Sequence, residues 1–298
     1  MPAPRRWRRS DDPTDVAFDA DSLGLPHTAV TLVRDLVHER TGLFYDDSRI
    51  GQMSDRLAPR VANRGFDTFL DYYYFLKYDD TSGDEWHAVM DALSVPETYF
   101  WRETDQLNAV AQVIVPALAQ TLGRRVRLWS VPCASGEEPL SLAIMLDQRG
   151  LLDSVQIEGS DASPAALTAA AAGLYRERAF RSLPPLLRTR YFKAEGSRWR
   201  IDPSLAARVS WSRVNLLDTA EVERRAWADV ILCRNVFIYF SDTAIRRVLE
   251  TFARAMPTPG YLCVGAAESL LRLTDCFDLE QVGEAFVYVK RSIGKDNG

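Results

Sequence analysis

Two consecutive glutamates, Glu137 and Glu138, follow a lone glycine in "WSVPCASGEEPLSLA", residues 129–143. The apolar run before this turn reads as a strand and the run after it as a helix. The pair therefore stands at a helix N-terminus beyond the carboxyl end of a strand, where open α/β sheets bind nucleotide-like ligands. A phosphate-binding loop would offer several glycines and bare amides there, and the G-x-G-x-x-G pattern of dinucleotide sites is absent. Carboxylates at this turn repel a pyrophosphate and suit a cation. S-adenosylmethionine has that chemistry, because it keeps the adenosine and replaces the phosphates with an amino acid on a sulfonium. The same pair would also complement the helix dipole, worth well under about 1 kcal/mol for each carboxylate.

Three other stretches carry groups suited to such a ligand. "VQIEGSD" (155–161) ends on Asp161, whose carboxylate can accept both ribose hydroxyls of an adenosine. Ser163 and Pro164 follow at the start of a helix, so Asp161 also suits an N-cap. "SVPETYFWRE" (94–103) sets Arg102 behind three aromatics, either turned into the cleft to take a carboxylate or left on the surface. "LCRNVFIYF" (232–240) turns polar where a buried strand should emerge. Asn235 and Tyr239 are placed for ligand contacts, with Val236, Phe237 and Ile238 as packing. Tyr239 also reads as a core tyrosine with one satisfied hydroxyl.

The elements that must position these groups change character along the chain. Residues 1–24, charged and proline-containing, read as a disordered lead-in. Residues 25–95 read as a helical bundle. Within it "IGQMSDRLAPRVANRG", with Arg49 just before it, places Met53, Leu57 and Val61 on one stripe and Arg49, Arg56, Arg60 and Arg64 on another. Pro59 is expected to kink or shorten that helix. From 96 to 298 short apolar runs alternate with helices, at 126–131, 155–161, 209–216, 228–235 and 260–267. That pattern indicates an α/β, doubly wound, mostly parallel sheet covered on both faces. "CFDLEQVGEAFVYVKR" adds an antiparallel hairpin about Gly283 at the sheet edge, bringing the count to seven strands. A polar, arginine-rich stretch at about 176–208 is too long for a simple connection and predicts a small inserted subdomain.

Composition excludes several function classes. The 298 residues carry a formal net charge of −5, which gives no reason to expect a nucleic-acid partner. No apolar run nears the roughly 18 residues of a membrane span, and the N-terminal arginines have no apolar segment behind them, so no membrane insertion or secretory signal is expected. The four cysteines lie far apart without a C-x-x-C pair, which fits thiols in a reducing cytoplasm. The three histidines, His27, His38 and His87, all lie in the first third. The α/β region therefore holds neither a Ser-His-Asp apparatus nor a histidine metal site of its own, and no metal is expected.

The motifs "ETYFWRE", "ASGEEPLSLA", "SDASPAAL", "GLYRE", "VNLLD" and "CRNVFIYF" follow one another in an order that resembles the CheR family, the S-adenosylmethionine-dependent methyltransferases of bacterial chemotaxis receptors. The resemblance runs over about residues 28–291. It implies a class I methyltransferase sheet, a small antiparallel β insertion and an N-terminal helical domain. It implies cofactor contacts at Thr98 and Arg102, Glu138 at the methionine end, Asp161 at the ribose, and Asn215, Leu216, Asn235 and Val236 along the adenosine and methionine portions. Arg102 and Tyr239 would stand at the chemistry. Pro96 occupies a cofactor-contacting position where relatives often carry asparagine, and it has neither a side-chain donor nor an N–H. Leu140 stands where a tyrosine is common, a change of packing.

The implied reaction converts receptor glutamates to γ-methyl esters in the cytoplasm, with S-adenosylhomocysteine as the other product. The implied partner is the helical bundle of a methyl-accepting chemoreceptor, met by the arginine stripe, although such a stripe also reads as a solvated face. The insertion's loop, "YFKAEGSRWRID", is short and has one glycine, which argues against the docking of a receptor tail peptide seen in some relatives. Three alternatives remain at this point: a dinucleotide oxidoreductase, a non-catalytic cofactor-binding scaffold, and a methyltransferase acting on another protein or a small molecule.

Overall fold

The computed structural model describes residues 27–95 and 97–291. The expected lead-in and Pro96 lie outside the described residues. The described residues open with the α-helices α1 (His27–Thr41), α2 (Ile50–Asn63), α3 (Phe69–Tyr74) and α4 (Asp84–Leu93). They enclose a core of their own in which Val33, Val37, Met53, Leu57, Val61, Phe69 and Tyr72 have no solvent exposure. The Met53–Leu57–Val61 stripe is buried as its spacing predicts. Pro59 does not end α2, which continues to Asn63. The bond a proline forfeits is to the carbonyl four residues back, on the exposed Asp55, where water can replace it.

The arginine stripe does not form one free face. Arg60 and Arg64 both turn inward to Glu85, which is 1% exposed. Arg60 binds it bidentately at 3.0 and 2.6 Å, Arg64 Nε lies 2.9 Å away, and the Tyr72 hydroxyl donates to it at 2.8 Å. Arg49 and Arg56 instead donate to backbone carbonyls of Phe44 and Leu93 and face the central cleft.

The second half begins with helices α5 (Thr104–Ala109) and α6 (Val115–Thr121), joined by one wider turn. There follow β1 (Val126–Ser130), α7 (Glu137–Asp147), β2 (Val155–Asp161) and α8 (Pro164–Ala172). The insertion comprises β3 (Leu174–Arg176), α9 (Pro185–Tyr191), β4 (Phe192–Glu195) and β5 (Arg198–Ile201). The chain then returns through α10 (Pro203–Ala206), β6 (Val209–Arg213), α11 (Thr219–Glu223), β7 (Val230–Leu232), α12 (Asp242–Ala255), β8 (Tyr261–Cys263), β9 (Phe277–Val282) and β10 (Ala285–Lys290).

Seven strands form one sheet in the order β6-β2-β1-β7-β8-β10-β9, parallel except for β10, which runs against both β8 and β9. The remaining three make a separate antiparallel sheet, β3-β5-β4. Order reverses between β1 and β7, so the carboxyl ends of β1, β2, β6 and β7 open on the switch-point crevice. Helix α7 is enclosed on both sides: Leu140, Leu142, Ala143, Ile144 and Leu146 have no exposure, with the sheet beneath and the insertion's aromatics above. Phe100, Tyr175, Phe180 and Phe192 interlock there with centroids 4.8 to 6.5 Å apart, mostly edge to face.

The helical layer is fastened across the carboxyl ends of the strands. The Asn215 side-chain amide donates to Arg40 O at 2.7 Å, and Phe44 N donates to Tyr239 O at 2.7 Å. His38 Nε2 and Ser241 Oγ are 2.8 Å apart, and the Ser163 hydroxyl donates to Asp91 on α4. Among the described residues no helix is long and apolar enough to cross a membrane.

Candidate active site

A cleft of about 460 Å³ lies between the helical layer and the carboxyl ends of the strands. Every site residue expected from the sequence and described here lines it: Thr98 and Arg102 from the connecting segment, Glu138 from α7, Asp161 from β2, Asn215 and Leu216 beyond β6, and Asn235, Val236 and Tyr239 beyond β7. Pro96 lies outside the described residues. No histidine lines the cleft, and no cluster able to hold a metal occurs among the described residues.

Asp161 sits at the floor, 7% exposed. Its oxygens accept from the backbone N–H of Ala134 and of Ser163, both at 2.9 Å. Burial pushes this carboxyl above the usual range, while those amides oppose the shift. The helix cap itself is Ser163, whose hydroxyl accepts from Ala166 N. Asp161 is thus free of the capping role and keeps lone pairs for two hydroxyls.

The two glutamates of the turn part company. Glu137 faces away from the cleft into the protein, where its carboxylate accepts from Ser135 Oγ at 2.8 Å. Glu138 faces the cleft. Its Oε1 accepts from Ser130 Oγ at 2.7 Å, and its Oε2 lies 3.1 Å from Nη1 of Arg234. Burial raises its carboxyl, opposed by the charge of Arg234. Gly136 adopts φ +90°, and a Cβ there would meet the Trp211 ring at 2.7 Å, so both the turn and the close approach require glycine.

Beneath the cleft runs a charge network that the sequence did not announce. Arg234, 4% exposed, donates from Nη2 to Arg102 O at 2.8 Å and to Glu103 Oε2 at 3.1 Å. Glu103 also accepts from Asn235 Nδ2 and from Ala266 N, each at 3.1 Å. Glu268 accepts from Asn235 N at 2.8 Å and Gly265 N at 2.6 Å. Burial disfavours ionised Glu103, yet Asn235 and Arg234 outweigh it and hold the carboxyl below its ordinary value. Two acids, Glu103 and Glu138, share the buried Arg234, and Glu268 joins the network through Asn235; the partners come from chain segments too distant for any spacing rule to join.

Among the described residues, four that are not glycine have positive φ: Trp101 at 67°, Glu103 at 49°, Ala134 at 45° and Asn235 at 58°. Two flank Arg102 and two line the cleft. Left-handed backbone at such residues costs on the order of 1–3 kcal/mol each and collects at functional sites. Here it turns Ala134 N toward Asp161 and Asn235 N toward Glu268.

Arg102 donates from Nη1 to Glu97 O at 2.6 Å and lies 3.9 Å from Glu103. Leu216 and Val236 are buried apolar walls. The donor set fits S-adenosylmethionine: a ribose-type acid, a carboxylate for an ammonium, apolar walls for a base, and a volume suited to a nucleoside-sized ligand. It does not fit a pyrophosphate, because the Gly136 amide is already bonded to Cys133 O and a carboxylate stands beyond it.

Comparison with known proteins agrees with this chemistry. Residues 96–286 match the family described as CheR methyltransferase, SAM binding domain, and residues 29–94 match CheR methyltransferase, all-alpha domain. The chain belongs to the CheR methyltransferase family. It is an S-adenosylmethionine-dependent methyltransferase. It is similar to Chemotaxis protein methyltransferase 2 of Vibrio cholerae, 34% identical over 270 residues that cover 89% of this chain and 93% of that protein. Chemotaxis protein methyltransferase 1 of Pseudomonas aeruginosa is 36% identical over 209 residues, covering 67% and 76% of the two chains. Probable biofilm formation methyltransferase WspC of Pseudomonas putida is 33% identical over 256 residues, covering 85% of this chain and 60% of that longer protein.

Proposed function

We propose that this chain transfers the methyl group of S-adenosylmethionine to glutamate side-chain carboxylates of chemoreceptors, in the cytoplasm, as an adaptation step of a chemosensory pathway. The observation that carries this reading is the cleft itself, with a cofactor-type acid set on its floor, Arg102 and Tyr239 on its wall, and no histidine. Relatives are named as chemotaxis protein methyltransferases, which supports the same receptor class.

When bound, the cofactor supplies an electrophilic methyl on a sulfonium, so a carboxylate that is already ionised near neutral pH becomes a neutral ester and no proton needs to move. A cleft without histidine is therefore adequate. In this reading Asp161 holds the ribose, Glu138 the ammonium, and Leu216 and Val236 the apolar portions. Thr98, Asn215 and Asn235 complete the contacts, and the position of Pro96 lacks the donor that an asparagine would offer. Arg102 orients the incoming carboxylate by charge and Tyr239 by its hydroxyl. Holding two reactants in line contributes up to about 7–11 kcal/mol. Arg49 and Arg56, on the cleft side of α2, meet the acidic face of the receptor helix.

The test is transfer of radiolabelled methyl groups to receptor cytoplasmic fragments. The label should be released as methanol by mild base, as a glutamyl ester requires. Arg102→Ala and Tyr239→Phe should lower turnover at least tenfold while S-adenosylhomocysteine still binds. Base-stable label would overturn ester formation, and near-normal turnover of Arg102→Ala would remove its assigned role.

A further inference from the structure

The side chain of Arg234 is 1% exposed and holds together two parts of the site that are distant in sequence. Its Nη2 grips the backbone carbonyl of Arg102, between the two left-handed residues Trp101 and Glu103, and also the Glu103 carboxylate. Its Nη1 faces Glu138 Oε2 at 3.1 Å, yet Nη1 and Nε make no hydrogen bond. The contact is thus an ion pair without hydrogen-bond alignment. Glu138 Oε1 is fixed by the Ser130 hydroxyl at the end of β1, whereas Oε2 has a cation beside it and no donor aimed at it. A carboxylate held at one oxygen and electrostatically steadied at the other keeps lone pairs for a further donor. A primary ammonium, with three donors on one centre, suits that oxygen.

Resting on the cofactor reading above, we propose that Arg234 is a positioning residue that sets the Glu138 carboxylate to receive the α-ammonium of the cofactor's amino-acid end. Without Arg234, Glu138 and Glu103 would be buried acids with no shared cation between them, and Glu138 would turn away or take up a proton. The effect is confined to the amino-acid end, because Asp161 and the apolar walls recognise the adenosine independently.

That confinement supplies the test. The full chain is titrated calorimetrically with S-adenosylhomocysteine and with 5′-methylthioadenosine, which keeps the adenosine and sulfur but lacks the amino acid. Arg234→Gln should reduce the affinity advantage of the first ligand over the second by roughly 10- to 100-fold, the range of a charge-assisted hydrogen bond. Binding of 5′-methylthioadenosine should stay within about twofold. Glu138→Gln should produce the same pattern, and the double variant should lose no more than Glu138→Gln alone. Equal weakening of both ligands by Arg234→Gln, or losses that add in the double variant, would overturn the proposal. If Arg234→Gln does not fold, Arg234→Lys carries the test: it keeps a charge that reaches one acid at a time, so the advantage should shrink, and an unchanged advantage overturns the proposal. Failure of the parent chain to bind either ligand would instead remove the cofactor reading, and this inference with it.

Discussion

Asn215 donates from Nδ2 to the carbonyl of Arg40 at 2.7 Å, and its Oδ1 accepts from Leu217 N at 3.1 Å. Both polar ends of the side chain are committed, one of them to the last turn of α1. The residue therefore fastens the helical layer at the edge of the cleft that it lines.

Asn215→Ala should accordingly act through the fastening. Losing this hydrogen bond costs about 1 kcal/mol, which in a domain of this size lowers Tm by roughly 2–4 °C. S-adenosylhomocysteine affinity should fall less than in Asp161→Ala. Calorimetry and thermal melts on both variants check this, and equal affinity losses would mean that the Asn215 side chain, rather than its backbone, makes the cofactor contact.

Glu137 governs a pH dependence with a definite sign. It is buried at 4% exposure, and burial pushes its carboxyl above the ordinary range against a hydrogen bond from Ser135. The folded chain then holds this proton more tightly than the unfolded chain. Stability contributed by this group falls as pH rises from the unfolded value through the raised one, and is level above it. Glu137→Gln should melt higher than the parent at neutral pH and show a flatter profile above about pH 4. A lower melt at neutral pH would mean that the charge at the start of α7 outweighs its burial.

Glu85 anchors the helical layer, and its loss should be felt as stability. Glu85→Ala leaves Arg60, Arg64 and Tyr72 without their shared acceptor, at a cost of about 2–3 kcal/mol because both arginines are partly solvated. Urea unfolding should record this, with cofactor affinity close to the parent's.

Receptor docking should divide the arginines along the same line. Arg49→Glu with Arg56→Glu should weaken association with receptor fragments, and the parent's binding should fall with added salt. Arg60→Glu should lower the melting temperature first. If the Arg49/Arg56 pair variant bound receptor as the parent does, the docking surface would lie elsewhere.

Two glycines should resist even alanine. Gly136→Ala combines φ +90° with a Cβ 2.7 Å from the Trp211 ring, for a loss of about 2 kcal/mol or more. Gly265→Ala would place its Cβ 2.5 Å from Asn235 Nδ2 and 2.8 Å from Glu268 Oε2. It should reduce cofactor affinity as well as stability, in the same calorimetric titrations and melts.

The sequence was most legible where one local rule sufficed. "VQIEGSD" is β2 to the residue, because Val155, Ile157 and Gly159 alternate into the buried sheet and the strand stops where Asp161 reaches the crevice. The run at 228–235 overreached, since the sheet ends at Leu232 and the chain turns through a left-handed Asn235 that apolarity does not reveal. The arginine stripe was real as spacing and misleading as surface. Arg60 and Arg64 answer to Glu85, whose burial on α4 only tertiary packing decides. Arg234 and Glu103 pair across 131 residues, and Glu268 joins through Asn235. Such long-range pairing leaves no periodicity to read.

The four left-handed residues bear on how this enzyme could be changed. Glycine at Ala134 or Asn235 would relieve local strain, so a search for heat-resistant variants would be drawn to those positions early. The same substitutions would let the amides now aimed at Asp161 and Glu268 wander. A heat-resistant version should be sought in the helical layer and the inserted sheet, with these four positions left as they are.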